Sequence, residues 1–380
     1  MIDNPFKFGR EVYGDQFYDR QEPFDKLYRK LSGGSSNVVM YAPRRYGKTS
    51  LVTKVLNRFR DEGVPCIYFD LNRVETLERF CEEYASAVSS LAGRGREIVQ
   101  GIAEYISHLH PTFQFGGELP VSVKLNYGGK MTATKLSEVL DLAEKVAEKY
   151  RLGPVIVAFD EFQEIANLSS SLPLEGIFRS VIQKHQSVRY LFLGSKTHML
   201  KRMFGDKTRP FYKSAATLRL DKPPENEGVA FVASRFASRS IGIDEATARE
   251  IVRLSENIPY YLQELASLTF DRVKAENRDW VEARDVAEGV KDLVDENADY
   301  YCERLQIFSP SQRILLTALA RESTSQFSTE YRERHSLGVP STVHTALKVL
   351  IESGVVETSA GRYYVGDPFF ARFIRTPASK

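Results

Sequence analysis

An α/β fold built on a parallel sheet, followed by a helical lid domain and a C-terminal winged helix, is what three features of this sequence predict. Short apolar stretches alternate with amphipathic helical ones through the first half. One apolar stretch runs into a Gly-Lys-Thr turn that opens a helix. Beyond Asp221-Lys222-Pro223-Pro224, a linker by its composition, helical periodicity dominates until close to the C-terminus. The expected division is residues 1–220, 221–298 and 299–380, which suits 380 residues at ~100–200 per domain.

In order along the chain, Val38–Tyr41 reads as a strand. Thr49 to Arg60 reads as a helix with Leu51, Val52, Val55, Leu56 and Phe59 on one face. Val64–Leu71 is a second strand. The alternation of Val121, Val123 and Leu125 suggests a hairpin inserted between about 111 and 129. Lys135–Tyr150 is a helix burying Leu136, Val139, Leu140, Ala143, Val146 and Ala147. Val155–Asp160 and Arg189–Gly194 are further strands, the former entered through Gly153-Pro154. After the linker, Glu227–Ser240, Asp244–Glu256 and Tyr260–Val273 read as short helices, with a further helix over Val281–Ala298. The end of the chain gives helix (Gln312–Arg321), short helix (Ser328–His335), helix (Ser341–Ser353) and two strands around Gly361, the order of a winged helix-turn-helix.

Composition sets the outer limits. With 42% apolar residues the chain can fill ordinary cores, and a net charge of +2 means that any nucleic-acid surface must be a local patch. Cys66, Cys81 and Cys302 lie far apart without a CxxC pair, which excludes a disulfide framework and disfavours a zinc site. Apolar runs such as Val155–Phe159 fall well short of the ~20 residues of a membrane helix. The N-terminus, Met1-Ile2-Asp3-Asn4-Pro5, carries no basic-then-apolar export pattern. The expectation is a cytoplasmic protein with no membrane partner.

The segment Ala42-Pro43-Arg44-Arg45-Tyr46-Gly47-Lys48-Thr49-Ser50 has the strand–loop–helix setting of a phosphate loop. Loop amides and the first helical turn offer unpaired N–H donors at one place. Lys48 adds a point charge for the β- and γ-phosphates, and the Thr49 hydroxyl suits one Mg²⁺ position. Ala42 stands where the general pattern has Gly, so the backbone there is expected to keep φ below zero. The second half is Val155-Ile156-Val157-Ala158-Phe159-Asp160-Glu161, an apolar strand that ends in two acids at the carboxyl edge of a sheet. Asp160 is the candidate for Mg²⁺ through water, and Glu161 for general base on the attacking water. Capping of the helix that follows is the structural alternative for this acid pair. Ser195, at the end of the next strand, would face the γ-phosphate if that strand lies beside Val38–Tyr41; capping of the next helix by a strand-end serine is the competing reading.

Taken together these residues resemble the archaeal and bacterial ATPases of the STAND branch, close to AAA+ enzymes of the replication-initiator type. Ala-Pro-Arg-Arg-Tyr-Gly-Lys-Thr-Ser-Leu looks like that family's variant loop, and Val-Ala-Phe-Asp-Glu-Phe-Gln-Glu like its second motif. Asn257-Ile258-Pro259-Tyr260-Tyr261-Leu262 resembles the Gly-x-Pro turn of the lid, with Asn257 in place of Gly and Pro259 near the nucleotide. Phe17-Tyr18-Asp19-Arg20 looks like the entry motif that cups adenine, with the usual following glutamate displaced to Glu22. The resemblance implies a P-loop NTPase fold of AAA+/STAND type with ATP and Mg²⁺ as cofactors. ATP is favoured over GTP because no Asn-Lys-x-Asp guanine reader is present. It also implies a charge-neutralising arginine, for which Arg209 is the candidate, from the same chain or a neighbouring copy; a plain surface charge is the alternative.

The presumed recognition helix presents Thr342, Thr345 and Lys348 outward and Val343, Leu347, Leu350 and Ile351 inward. Arg332, Arg334, Lys348 and Arg362 are the candidate contacts to duplex DNA, with Arg372 and Arg375 nearby. Packing against the ATPase core, self-association or a protein partner is the competing use of the same module. The aromatic group Tyr363, Tyr364, Phe369, Phe370 and Phe373 reads as core of the wing and not as a base-stacking platform. The functional expectation is an ATP-hydrolysing switch that couples its ATP or ADP state to the lid and winged helix. The alternative is a DNA-binding regulator that senses ATP without hydrolysis; Glu161 favours the switch, since sensing needs no water-activating base. A small-molecule kinase is disfavoured for want of an acceptor pocket.

Overall fold

The computed structural model describes residues 4–9, 20–33, 37–91, 96–115, 121–126, 128–323, 326–359 and 361–376. Contacts gather the chain into two compact units. One is Gln21–Ala42 with Leu51–Leu220; the other is the described parts of Met1–Arg20, Pro43–Ser50 and Asp221–Lys380.

The first unit runs α1 (Gln21–Ser32), β1 (Asn37–Tyr41), α2 (Lys48–Asp61, begun in the other unit's loop), β2 (Cys66–Asp70), α3 (Leu77–Ser90) and α4 (Arg96–Tyr105). It continues through β3 (Thr112–Phe115), β4 (Val121–Lys124), α5 (Ala133–Tyr150), β5 (Val155–Asp160), α6 (Leu174–Ile182), β6 (Val188–Gly194), α7 (Thr197–Gly205) and β7 (Ala215–Arg219). Five of these strands form a parallel sheet in the order β2-β5-β6-β1-β7. Strand β5 is buried along its whole length, as a two-sided parallel strand must be, and its Val-Ile-Val-Ala-Phe run supplies the apolar surface. Phe159 has its ring 6.0 Å from Phe69 and Tyr190 and 6.4 Å from Phe192. Each such buried phenylalanine contributes about 1.5–3 kcal/mol by removal from water.

One carboxylate inside this unit is structural. Glu144 of α5 accepts N–H bonds from Gln186 (2.8 Å), Ser187 (2.9 and 3.0 Å) and Val188 (3.0 Å), which fixes where β6 begins. The expected hairpin is β3–β4, antiparallel with Phe113 opposite Val123, docked on α3 through Val123 N–H to Ser86 Oγ at 2.8 Å. Its residues 116–120 and 127 lie outside the described part. Strand β7 is absent from the sequence reading: only Leu218 on it is buried, so no apolar run marks it.

The second unit carries α8 (Glu225–Ala237), α9 (Glu245–Leu254), α10 (Pro259–Ala275), α11 (Ala283–Glu296) and α12 (Ala298–Gln306). It ends with α13 (Pro310–Arg321), α14 (Thr329–Arg334), α15 (Pro340–Glu352), β8 (Val356–Ser359), β9 (Arg362–Val365) and α16 (Pro368–Arg375). Local chemistry explains most starts. Asp244 caps α9 through Thr247 N–H at 2.8 Å, Glu282 and Asp285 form a reciprocal box at α11, and Ser309 with Gln312 does so at α13. The N-terminal segment is fastened to α10: Asn4 Nδ2 donates to Ser267 O (3.1 Å) and Asp271 Oδ1 (2.8 Å). Phe6 fills a slot 4.9 Å from Phe236. The aromatic group expected in the wing is divided. Tyr363 and Tyr364 are on β9, whereas Phe369, Phe370 and Phe373 belong to α16, a helix the sequence reading lacks. Phe370 packs against Tyr301 of α12 at 5.2 Å, so its ring is core.

Among the described residues no helix is long and apolar enough to cross a membrane.

Candidate functional site

Because the sheet is parallel, β1, β5 and β6 release the chain at one edge, with Tyr41 level with Gly194 and Asp160 level with Asp70. Chemistry-bearing residues follow each strand at that edge, the position where open α/β sheets take ligands.

Within the sheet unit, Asp160 is buried, accepts from the Tyr68 hydroxyl, and takes the Glu161 N–H on Oδ1 at 2.8 Å. Glu161 adopts a left-handed backbone (φ 49°), so the chain turns sharply just where the acid stands. Its Oε2 accepts Ser195 N–H at 3.1 Å, Ser195 Oγ–H at 2.9 Å and Gln163 Nε2–H at 2.5 Å. Strand β6 does lie beside β1, the condition attached to Ser195, and in this arrangement Ser195 holds the glutamate. Gln163 is wholly buried, and sequence reasoning gave it no role. Its amide orientation is fixed because Nε2 also reaches Glu164 Oε1 at 3.3 Å; an inverted amide would set oxygen against two carboxylates. A Cβ on Gly194 would lie 2.2 Å from Gln163 Oε1, so the strand must end in glycine for the glutamine to fit. Burial pushes the Glu164 carboxyl up, but hydrogen bonds from Lys196 (2.8 Å) and Asn167 (2.6 Å) outweigh it and hold it below its ordinary value. Arg209 forms a two-pronged pair with Glu175, with Nε to Oε2 at 3.1 Å.

The loop Pro43–Ser50 belongs to the other unit. Ala42, on the sheet side of it, is fully buried, donates to Gly194 O at 3.4 Å and is not among the positive-φ residues, as expected. The left-handed turns fall instead at Arg45 (φ 71°) and Gly47 (φ 77°). Left-handed residues interspersed in a turn shape an anion nest, and the first turn of α2 carries no acid to compete with a bound phosphate. Thr49 and Asp160 are hard oxygen donors of the kind Mg²⁺ takes, and Lys48 is buried at the helix start. Each unit by itself thus carries donor types of the kind a magnesium–triphosphate takes.

Residues remote in sequence secure this loop. Arg20 Nη2 donates to Tyr46 O at 2.7 Å, and its other nitrogen donates to Asp221 O. Phe17, Tyr18 and Asp19 of the same motif lie outside the described residues. Tyr260 N–H, one residue after Pro259 at the start of α10, donates to Arg45 O at 3.3 Å. Asn257, replacing Gly, tolerates φ 55° and donates from Nδ2 to Pro223 O at 2.7 Å, so the lid turn is intact. The Arg45 guanidinium lies 4.7 Å from the ring centres of Tyr260 and Tyr261, is hydrogen-bonded to the Tyr261 hydroxyl, and pairs with Asp367 Oδ2 at 2.9 Å. Burial works against this charge, yet Tyr261 and Asp367 raise its pKa above the ordinary arginine value. Tyr46 is buried and hydrogen-bonded to Tyr364, whose hydroxyl donates to Glu357 Oε2 at 3.1 Å. Burial pushes the Glu357 carboxyl up to about 7.

Of the DNA candidates, Arg334 is held between Glu322 (2.8 Å) and Glu330 (2.6 Å), and Arg332 donates to Phe327 O and Gly338 O at 3.3 Å. Lys348, 3.9 Å from Glu352, and Arg362 are exposed, as are Thr342 and Thr345. The cationic patch is thinner than the count of arginines suggests.

Comparison with known proteins places this geometry. A family model described as an ATPase domain predominantly from Archaea matches residues 17–265, well over half of the chain. A second, described as a probable winged helix domain, matches residues 299–376. Among solved structures, the Walker-type ATPase PABY2304 of Pyrococcus abyssi superposes with a TM-score of 0.70 at 20% identity, over 98% of this chain and 100% of that one. The ORC2 protein of Aeropyrum pernix, solved in ADPNP and ADP complexes, gives 0.57 at 15% identity over 94% and 92%. The ORC1 protein of the same organism, solved with DNA, gives 0.50 at 15% over 95% and 93%. At these identities the likeness is one of fold. No curated protein sequence matches the chain.

Proposed function

The chain belongs to the ATPase family found predominantly in Archaea, and from that premise we propose that it is a Mg-ATP-hydrolysing switch whose nucleotide state rearranges the lid and winged helix. The observation that carries the hydrolytic part is Glu161. Three hydrogen bonds from Ser195 and Gln163 converge on its Oε2, leaving one carboxylate edge fixed and the acid oriented as a base for water. In this reading the loop Pro43–Ser50, Arg44 included, cradles the phosphates with its amides and Lys48. Thr49 and Asp160 would hold Mg²⁺, which supplies neutralisation of phosphate charge. Ser195 serves by keeping Glu161 in place. Arg20 and Pro259 act through the loop, by the Tyr46 carbonyl and the neighbouring Tyr260 amide.

ATP turnover tests the proposal. Glu161→Gln should lower the rate by roughly 10²–10⁴ while ATP still binds, and Lys48→Ala should abolish binding. Equal background rates in wild type and Glu161→Gln would refute hydrolysis and leave ATP sensing. Arg209 must leave Glu175 before it can neutralise a γ-phosphate. A loss of turnover in Arg209→Ala, without loss of nucleotide affinity, is the result that gives it that role.

A second reading, duplex DNA binding, draws on the exposed Thr342, Thr345, Lys348 and Arg362 in a winged-helix unit. It requires a salt-dependent DNA shift that is lost when Lys348 and Arg362 are reversed in charge.

A further inference from the structure

The two oxygens of Asp367 have different tasks. Oδ1 caps α16 by accepting the N–H groups of Phe369 (3.0 Å) and Phe370 (2.9 Å), while Oδ2 accepts from Arg45 at 2.9 Å. Asp367 is 6% exposed, so this partner lies in a poorly solvated place where an unpaired charge is costly. Arg45 needs such a partner. It is not glycine, yet it holds φ 71°, a conformation that is unfavourable for residues with a Cβ. Two of the loop's carbonyls are engaged by groups from outside the loop: Arg45 O takes the Tyr260 N–H and Tyr46 O takes Arg20. A peptide whose carbonyl is turned out has its N–H groups left for the inside of the turn, which is where a phosphate nest presents them.

We propose that Asp367 is a positioning residue for the phosphate loop: through Arg45 it holds the loop in its phosphate-receiving shape, so that nucleotide affinity depends on the C-terminal winged-helix unit. The inference rests on the reading of Pro43–Ser50 as the nucleotide's phosphate site. It adds that the site is incomplete without a carboxylate 322 residues further along the chain. Linkage makes the dependence reciprocal: nucleotide that favours the turned loop also favours the docked winged helix.

Asp367→Asn separates the two tasks, because the amide oxygen can still cap α16 while the –NH₂ group cannot accept from Arg45. The experiment measures the dissociation constant of ADP and of a non-hydrolysable ATP analogue on the full chain, alongside the thermal midpoint. Asp367→Asn should weaken binding roughly tenfold with little change in midpoint; Arg45→Met should weaken it as much but also lower the midpoint, because it leaves buried Asp367 unpaired, and the double variant should bind no more weakly than the single ones. Wild-type affinity in Asp367→Asn, or a loss explained by a lower midpoint and additive in the double variant, overturns the proposal and leaves Asp367 a helix cap. Tighter binding also overturns it, since Asp367 would then compete with phosphate for Arg45. A wild-type chain that binds neither nucleotide removes the underlying reading, and the inference with it.

Discussion

The acid pair after β5 and the phosphate loop after β1 leave the same sheet edge, yet they are held in opposite ways. Asp160 and Glu161 are secured by near neighbours of one unit: Tyr68 on the adjacent strand, Ser195 on the next, and Gln163 two residues on. The loop is secured by Arg20, Tyr260, Tyr261, Tyr364 and Asp367, residues scattered over most of the chain. The acid pair is held within one core; the loop is tied to elements far along the chain.

The strongest break in this contrast is Gln163→Glu, which puts a third carboxylate, fully buried, beside Glu161 and Glu164. It should destabilise the chain by about 3–5 kcal/mol through an uncompensated buried charge, read as a large drop in the denaturation midpoint. Next is Gly194→Val, whose Cβ collides with Gln163 Oε1 at 2.2 Å and with Leu200 Cδ1 at 2.6 Å. Overpacking there should cost about 1–3 kcal/mol and lower turnover more than nucleotide affinity, because Glu161 loses its support.

On the lid side, Asn257→Ala forces alanine to φ 55° and removes the bond to Pro223 O. A loss of about 1–2 kcal/mol is expected; Asn257→Gly should lose less, and equal losses in both would show that the side-chain bond dominates. The remaining lever is pH. Burial raises the Glu357 carboxyl from 4.5 to about 7, and burial does the same to Glu264. Between these values the folded chain keeps protons that the unfolded chain has released, so stability falls as pH rises from about 4.5 to 7 and levels off above. Glu357→Gln should make that slope shallower in denaturation curves taken across the window; an unchanged slope assigns it elsewhere.

The same contrast explains what could be read in the sequence. Strand β5 with its terminal acids and the loop with its Lys-Thr are local patterns, each within a dozen residues, and local patterns survive in a linear string. Strand β7 is half exposed and gave no apolar run. Gln163 stood beside the acid pair in plain view, but nothing in its neighbours says that its amide would be buried against Glu161. The Arg45–Asp367 pair lay beyond any window, and helix α16 was hidden because its aromatic residues suited a wing equally well. Sequence periodicity places faces; it does not say which distant face closes on which turn.

The separation of Arg45 from Asp367 also has a temporal side. A ribosome delivers the arginine 322 residues before its counter-charge, which at ~5–20 residues per second is an interval of roughly 15–60 s. For that time a nascent sheet can be finished and its glutamate seated while the turn that would grip a triphosphate still lacks its anchor. A growing chain of this design completes the setting of its acid pair early and the anchor of its loop late.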